Sequence, residues 1–175
     1  MSSQKMMNYE FSVGKHFSRY FSVDLNAYYS RGTDMIQTVD QKNVNTGKFI
    51  NKGIEISANS RPLDNLRLYA SYSYLHTSLD DLTGAPKNQY YIGADITLLK
   101  KLNIAADLKG IGGLYVTESV RNQNYALLNL KLNYEICRYV AIFIRLENIT
   151  NAHYVINRGY EMPGFTAMGG FKVSF

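Results

Sequence analysis

The segment YALLNLKLNYEI, Tyr125–Ile136, alternates apolar and polar residues along its length. Its polar residues are Asn129, Lys131, Asn133 and Glu135, and the positions between and before them are apolar. Side chains alternate between the two faces of a β-strand, whereas the apolar face of a helix recurs about every 3.6 residues. The segment therefore predicts a long β-strand with one apolar and one largely polar face.

The same alternation recurs along the whole chain. It is found in eight other segments: Tyr9–Val13, Phe21–Tyr29, Ile54–Ala58, Leu66–Tyr74, Tyr90–Leu98, Leu102–Leu108, Val140–Leu146 and Phe171–Phe175. About nine strands result, and the longer ones reach the roughly 9–11 residues that cross a bilayer at a tilt. Strands of soluble proteins are commonly about 5–6 residues long. Because lipid is the simplest apolar solvent for such long strands, we predict an all-β fold, an antiparallel up-and-down transmembrane β-barrel.

The joins between these strands alternate in length. Short joins are expected near residues 17–20, 61–65, 100–101 and 137–139, and long ones near 32–48, 77–88, 112–124 and 149–164. Short periplasmic turns alternating with long extracellular loops are the layout of an outer-membrane barrel. An odd number of strands then places the N-terminus on the extracellular side, opposite a periplasmic C-terminus.

The composition excludes several other classes of protein. The longest apolar run, Tyr139–Ile144, is far shorter than the roughly 20 residues of a spanning helix. The 15 Tyr residues suit an interface where the ring meets lipid and the hydroxyl meets water. The single cysteine, Cys137, has no partner for an internal disulfide, and no Cys/His spacing predicts a metal site. The net charge is +5, but the basic residues are scattered along the sequence, so nucleic acid is not an expected partner.

The polar face of the predicted strands carries ionisable residues of both signs. They are Glu10, Asp24, Glu55, Asp95, Asp107, Lys109, Lys131, Arg145, Glu147 and Lys172. Charged side chains are costly in lipid. We therefore expect this face to line a hydrated lumen, or one filled by a polar plug, and assign these residues to solvation and ion pairing.

Four motifs resemble the C-terminal barrel region of the TonB-dependent receptor family. Asn51–Ile56 (NKGIEI) resembles the family's Gly-x-Glu strand start, and Ala85–Tyr90 (APKNQY) resembles its Ala-Pro entry into the next strand. Leu146–Tyr154 (LENITNAHY) resembles the Asn-Leu-x-Asn-x-x-Tyr segment that closes the penultimate strand, and Gly159–Gly164 resembles the lead into the last strand. The chain departs from the family at Phe165, where Arg is common.

The resemblance implies an outer-membrane receptor of a Gram-negative bacterium. Full receptors of the family resemble 22-stranded barrels with a plugged lumen. They import scarce nutrients such as iron–siderophore complexes, cobalamin or carbohydrates with energy from TonB. No segment resembles the plug or the motif that engages TonB, and no secretory signal is visible. Residues 1–175 are therefore interpreted as one barrel region, part of a larger barrel without its plug domain, which would engage the TonB complex only through that missing plug.

The resemblance also suggests binding sites and partners. Four residues of the long loops are candidate contacts for a small-molecule ligand: Tyr115, His153, Tyr154 and Tyr160. The strand end is similar to the signal read by the barrel assembly machinery, through Phe171, Val173 and Phe175. Apolar residues at alternate positions would let this strand pair with a template edge. Outer-membrane lipid is the remaining expected partner.

Two other functions fit parts of the sequence. A small structural or adhesive barrel without transport activity would close with about eight strands around a filled interior. Small residues on the polar face, such as Ser71 and Gly93, provide too little bulk for that interior. A membrane enzyme would need a nucleophile beside a base, and the only suggestive grouping, His76 with Asp80 and Asp81, is explained by surface solvation. No catalytic residue, cofactor or metal is expected.

Overall fold

The computed structural model describes residues 3–34, 36–39, 42–45, 47–79, 82–117, 123–157 and 159–174. Within them the chain forms thirteen strands: β1 Lys5–Ser18, β2 Phe21–Thr33, β3 Ile36–Val39, β4 Lys42–Asn45, β5 Lys48–Leu63, β6 Leu66–Thr77, β7 Asn88–Leu98, β8 Leu102–Leu114, β9 Gln123–Cys137, β10 Val140–Glu147, β11 Val155–Asn157, β12 Tyr160–Glu161 and β13 Thr166–Val173. Among these described residues, no helix is long and apolar enough to cross a membrane.

Nine of the described strands form one sheet in the order β1-β2-β5-β6-β7-β8-β9-β10-β13. Each pairs antiparallel with the next, so the up-and-down arrangement is confirmed. The sheet is open, with β1 and β13 at its two edges. Strands of up to 16 residues agree with the predicted transmembrane length.

The joins also alternate as predicted. Residues 19–20, 64–65, 99–101 and 138–139 make short turns at one end of the sheet. The joins 34–47, 78–87, 115–122 and 148–165 lie at the other end, which we call the long-loop end. Two of these long joins contain hairpins of their own, β3–β4 and β11–β12, which alternation in the sequence did not reveal.

The strand register sorts the side chains onto two faces. All ten ionisable residues that the sequence assigned to the polar face share that face, because the register connects them strand by strand. For example, Glu55 pairs with Asn26 on one side and Ser73 on the other. The polar face of the sheet is thus confirmed as a continuous surface.

The opposite, apolar face is largely exposed. Phe11 is 64% exposed, Ile92 53% and Phe171 74%. Among the described residues only four hydrophobic side chains are buried: Phe49, Ile111, Leu114 and Val116. A soluble sheet protein would bury such a face against a second layer. This sheet instead leaves it exposed, as the lipid-facing side of a membrane barrel is.

Aromatic rings cover glycines on neighbouring strands. Tyr69 is the cross-strand partner of Gly93, and its ring occupies the space that a Cβ at Gly93 would need. Tyr90 covers Gly110 in the same way on the apolar face. These pairs pack the sheet surface closely, since the ring fills the place of the missing side chain.

Candidate functional site

A groove of about 850 Å³ runs along the polar face. Small polar side chains line it, including Ser57, Ser71 and Ser73, together with Gln89 and Lys109. Their shortness leaves open space above the sheet, whereas bulky residues would fill it. The polar face therefore offers an open polar surface along which a polar ligand or a polar plug can lie.

Asparagine amides satisfy carboxylates along this face. Asn103 donates from Nδ2 to Oδ1 of Asp95 at 2.9 Å, and Asn129 donates from Nδ2 to Oδ2 of Asp107 at 2.8 Å. An amide donor to a carboxylate is a charge-assisted hydrogen bond, stronger than one between neutral groups. Arg145 and Glu147 add an ion pair at 3.5 Å, with both side chains 43% exposed. The face is therefore polar but internally paired, which fits its predicted lining role.

The last long join carries three of the four candidate ligand residues. Within it, β11 and β12 pair as a short hairpin, Val155 opposite Glu161. His153 Nδ1 lies 2.9 Å from Oε1 of Glu161, and the backbone N–H of Met162 donates to the carbonyl of Tyr154 at 3.0 Å. Hairpin pairing thus brings His153, Tyr154 and the strand that begins at Tyr160 together.

Exposure separates the roles that these residues can play. The Tyr160 side chain is 73% exposed, and the His153 side chain is 75% exposed. Both are accessible from the solvent, although the Nδ1 atom of His153 already contacts Glu161. Tyr154, by contrast, is only half-buried and stacks on Tyr125 with ring centroids 4.3 Å apart. Burial, together with the nearby Glu147 carboxylate, raises the pKa of the Tyr154 phenol, so this ring stays neutral.

A small apolar cluster holds the hairpin against the neighbouring loop. Ile111, Leu114 and Val116 form the cluster, and Tyr125 and Val155 pack against it. The backbone N–H of Val155 also donates to Oε1 of Gln123 at 2.8 Å. The cluster gives the long-loop end a packed apolar base, because its residues are among the few buried apolar side chains of the described chain.

Tyr115, the fourth candidate, lies in the neighbouring join. It lines a cavity of about 300 Å³ with His76 at the end of β6 and residues of the β6–β7 join, among them Leu82 and Lys87. Its carbonyl accepts a hydrogen bond from the backbone N–H of Gly84 at 3.1 Å. The long-loop end thus carries all four candidates, three in one hairpin join and Tyr115 beside a separate cavity. Asp80 and Asp81, grouped with His76 in the sequence, lie outside the described residues.

Asn148 organises the last long join, a role that the sequence analysis missed. It is 4% exposed and has a φ of 50°. Its Nδ2 donates to the carbonyls of Ala152 and Pro163 at 2.9 and 3.1 Å, and its Oδ1 accepts from the N–H of Ala152 at 2.8 Å. Asn tolerates positive φ and bonds to nearby backbone, so the Asn-Ile-Thr-Asn spelling of residues 148–151 is the signal that could have indicated this turn.

The family described as TonB dependent receptor-like, beta-barrel, matches residues 2–149 of this chain. The chain belongs to that family. Barrels of TonB-dependent receptors lie in the outer membrane of Gram-negative bacteria, so the long-loop end is the extracellular end. The resemblance read from the four sequence motifs is therefore confirmed. A search of curated proteins finds no match.

Solved structures with the same fold include three receptors and transporters. The ferric-catecholate import receptor Fiu of Escherichia coli K12 is 14% identical with a TM-score of 0.78; the alignment covers 98% of this chain and 28% of Fiu. The copper transporter OprC is 16% identical with a TM-score of 0.79, at 98% and 31% coverage. Pseudomonas aeruginosa FpvA, solved with iron-loaded pyoverdines, is 16% identical with a TM-score of 0.80, at 98% and 27% coverage. At these identities the likeness shows the fold, and the chain spans about 30% of each protein's length.

Phe171 and Val173, assigned to the assembly signal, lie on the apolar face of the edge strand β13. Phe171 pairs with Ile142 and Val173 with Val140, so both project to the same side. Phe175 lies outside the described residues.

Proposed function

We propose that residues 1–175 form part of the barrel wall of an outer-membrane receptor that imports a scarce nutrient with energy from TonB. The observation that carries the proposal is the open nine-stranded sheet of a TonB-dependent receptor barrel, with a continuous polar face. The sheet leaves β1 and β13 as its two edges, where further strands of a larger barrel would pair. In this setting the chain has no catalytic role.

The nutrient class that this proposal favours is a metal complex. Fiu imports ferric catecholates, FpvA binds ferric pyoverdines and OprC transports copper. On this chain, aromatic rings and an imidazole at the extracellular end would meet such a complex first. Aromatic faces stack on planar organic groups, and Tyr and His side chains donate hydrogen bonds to its oxygens.

The four candidate residues take different parts in this proposal. Tyr160 and His153 are assigned to direct ligand contact, because both are highly exposed on the last long join. Tyr154 is assigned to holding that join in place through its stack on Tyr125. Tyr115 would contact ligand only beside its own cavity, between the β6–β7 and β8–β9 joins.

Two further partners belong to the proposal. The apolar face would lie against outer-membrane lipid, because its large side chains are exposed rather than packed. The barrel assembly machinery would receive β13 through the apolar side chains of Phe171, Val173 and Phe175. TonB would act through a plug domain of the whole receptor.

A hybrid receptor tests the transport proposal. This chain would replace the matching part of Fiu in cells that lack their other ferric receptors, and growth would be scored on a panel of ferric siderophores under iron limitation. We expect TonB-dependent growth on at least one compound, and we expect Tyr160→Ala to weaken it while Tyr139→Ala, in a turn at the opposite end, does not. A hybrid that reaches the cell surface but supports growth on no compound would contradict the proposal.

A further inference from the structure

Basic residues cluster on the apolar face at the extracellular end. Four of them, Lys5, Arg31, Lys48 and Lys52, define what we call the basic patch. The patch is not visible in the sequence, because its four residues lie on three different strands. Successive members are up to 26 positions apart in the chain. Strand pairing assembles them, since β1, β2 and β5 are consecutive in the sheet.

The register fixes how close these residues are. Thr33 pairs with Lys5 on one side and with Lys48 on the other. Arg31 lies two residues along β2 from Thr33, on the same face. Tyr29 lies two residues beyond Arg31 and pairs with Lys52. Strands lie about 4.8 Å apart and same-face neighbours along a strand about 7 Å apart. The four Cα positions therefore fall within about 10 Å across the sheet and about 14 Å along the strands.

No acidic residue of the nine described sheet strands shares the face of the patch, and the nearest one in sequence, Asp34, follows Thr33 just beyond the end of β2. All seven acidic residues in the nine described sheet strands lie on the polar face: Glu10, Asp24, Glu55, Asp95, Asp107, Glu135 and Glu147. The four basic side chains are exposed, and none forms an ion pair with a described acidic residue. Such a concentration of one sign of charge attracts an anionic partner.

The position of the patch places that partner in the membrane interface. Tyr29 pairs with Lys52 at the lower edge of the patch, and Phe11, Ile54 and Tyr74 lie together one same-face position further down. Tyrosines mark the level where lipid meets water. The same face of the nine described strands carries one other Lys or Arg, Lys15, near the opposite end. Positive charge is thus concentrated at headgroup depth in the outer leaflet.

We propose that the basic patch binds the phosphate groups of phosphorylated glycolipids in the outer leaflet. Arg31 would grip a phosphate with two parallel N–H donors, and the three lysines would supply point charges around it. His76, paired across the sheet with Lys52 and exposed, extends the patch by one more donor. The proposal requires the membrane placement of the barrel but not transport, so it stands or falls separately from the transport proposal.

Lipid titration of the full 175-residue chain tests the proposal. The chain would be refolded into uncharged maltoside micelles and titrated with lipid A, with bound lipids counted by native mass spectrometry. Replacing the patch by Lys5→Gln, Arg31→Gln, Lys48→Gln and Lys52→Gln should weaken lipid A binding by at least about tenfold, because one basic residue beside an anionic lipid surface contributes about fivefold. Removal of the lipid phosphates should weaken binding to the unaltered chain similarly.

A matched control removes the same charge elsewhere. Lys15→Gln, Arg61→Gln, Lys100→Gln and Lys101→Gln act near the opposite end of the sheet and should leave the affinity within about a factor of two, since distant exposed charges are screened. Lys5→Arg, Lys48→Arg and Lys52→Arg keep the charge and should keep binding, which separates charge loss from misfolding. The proposal is overturned if the control weakens binding as much as the patch variant does, or if dephosphorylated lipid binds equally well. Complete displacement of lipid A by millimolar inorganic phosphate would also overturn it, by showing a site for free phosphate.

Discussion

The backbone N–H of Asn148 donates to the side-chain Oδ1 of Asn129 at 3.0 Å. This bond joins the start of the last long join to the middle of β9, whose Asn129 in turn donates to Asp107 on β8. The N–H of Ile149 adds a bond to the carbonyl of Leu128 at 2.8 Å. The proposed ligand-contacting hairpin is therefore anchored to two strands of the barrel wall through a polar chain.

Replacing Asn148 by Ala should release the last long join. The change leaves the carbonyls of Ala152 and Pro163 without their amide donor. It also places Ala at a positive φ, a conformation that Asn tolerates better than Ala does. We expect the free energy of unfolding to fall by about 2–4 kcal/mol, with faster protease cleavage within residues 149–165. Urea unfolding in micelles and limited proteolysis measure the two effects.

Asn148→Gly separates the two causes in that prediction. Glycine accepts positive φ without strain but lacks the amide, so it should recover only the conformational part of the loss. Equal stability of the Gly variant and the natural chain would show that the side-chain hydrogen bonds contribute nothing.

Gly93→Ala should destabilise the sheet through Tyr69. A Cβ at Gly93 would overlap the Tyr69 ring, which has to move or distort the strand pairing. Overpacking of this kind costs about 1–3 kcal/mol. Gly112→Ala is the matched control, because its Cβ would meet Asn88 Cβ and Asn124 Oδ1 at an ordinary 3.5 Å.

Denaturant unfolding of both glycine variants measures whether overlap with the Tyr69 ring lowers the free energy of unfolding. The Gly112 variant should be as stable as the natural chain or gain up to about 1 kcal/mol, because Ala restricts the unfolded chain more than Gly does. Adding Tyr69→Ala should remove most of the penalty of Gly93→Ala if the ring is its cause. A penalty that persists without the ring would place the cause in the backbone instead.

The turn between β7 and β8 stores strain that can be relieved. Leu99 and Lys100 have φ values of 50° and 57°, and the N–H of Lys101 donates to the carbonyl of Leu98 at 3.0 Å. Positive φ at both central residues of the four-residue turn Leu98–Lys101 favours Asn-Gly over Leu-Lys. The double change Leu99→Asn and Lys100→Gly should therefore stabilise the hairpin by about 1–2 kcal/mol.

Thermal or urea unfolding checks the turn prediction against Lys101→Gly. At Lys101 φ is not positive, so glycine there should lower stability by about 0.5–1 kcal/mol. A double variant no more stable than the natural turn would mean that the left-handed conformation costs Leu99 and Lys100 little in this setting.

The strands and their faces were predictable from sequence because a period of two is a local property. The alternation in residues 125–136 reappears as β9, and all ten charged residues assigned to the polar face lie on it. The sorting of short and long joins followed from the same pattern. Sequence alone thus identified the fold class, the number of sheet strands and the family.

The remaining features depend on register between strands, which no local pattern specifies. The basic patch escaped notice because Lys5 and Lys48 are 43 positions apart in sequence and meet only through Thr33. The cover of Gly93 by Tyr69 likewise requires knowing which residues pair. Among the ligand candidates, three fell in the one long join predicted near residues 149–164, but only the pairing of β11 with β12 showed that a hairpin brings them together.

The two faces of β13 allow a direct test of the assembly signal. Phe171 and Val173 project from the apolar face, 74% and 43% exposed, whereas Lys172 between them lies on the polar face. If the barrel assembly machinery reads alternate apolar side chains, Phe171→Ser with Val173→Ser should reduce the amount of folded chain in the outer membrane severalfold. Lys172→Ser changes the intervening position without touching that face and should leave the amount near its natural level.

The measurement is the quantity of chain recovered in isolated outer membranes, compared with the total made. Equal losses from both changes would mean that the strand is read through its backbone edge or its stability rather than through the apolar face, since a β-edge offers the same N–H and C=O groups whichever side chains flank them.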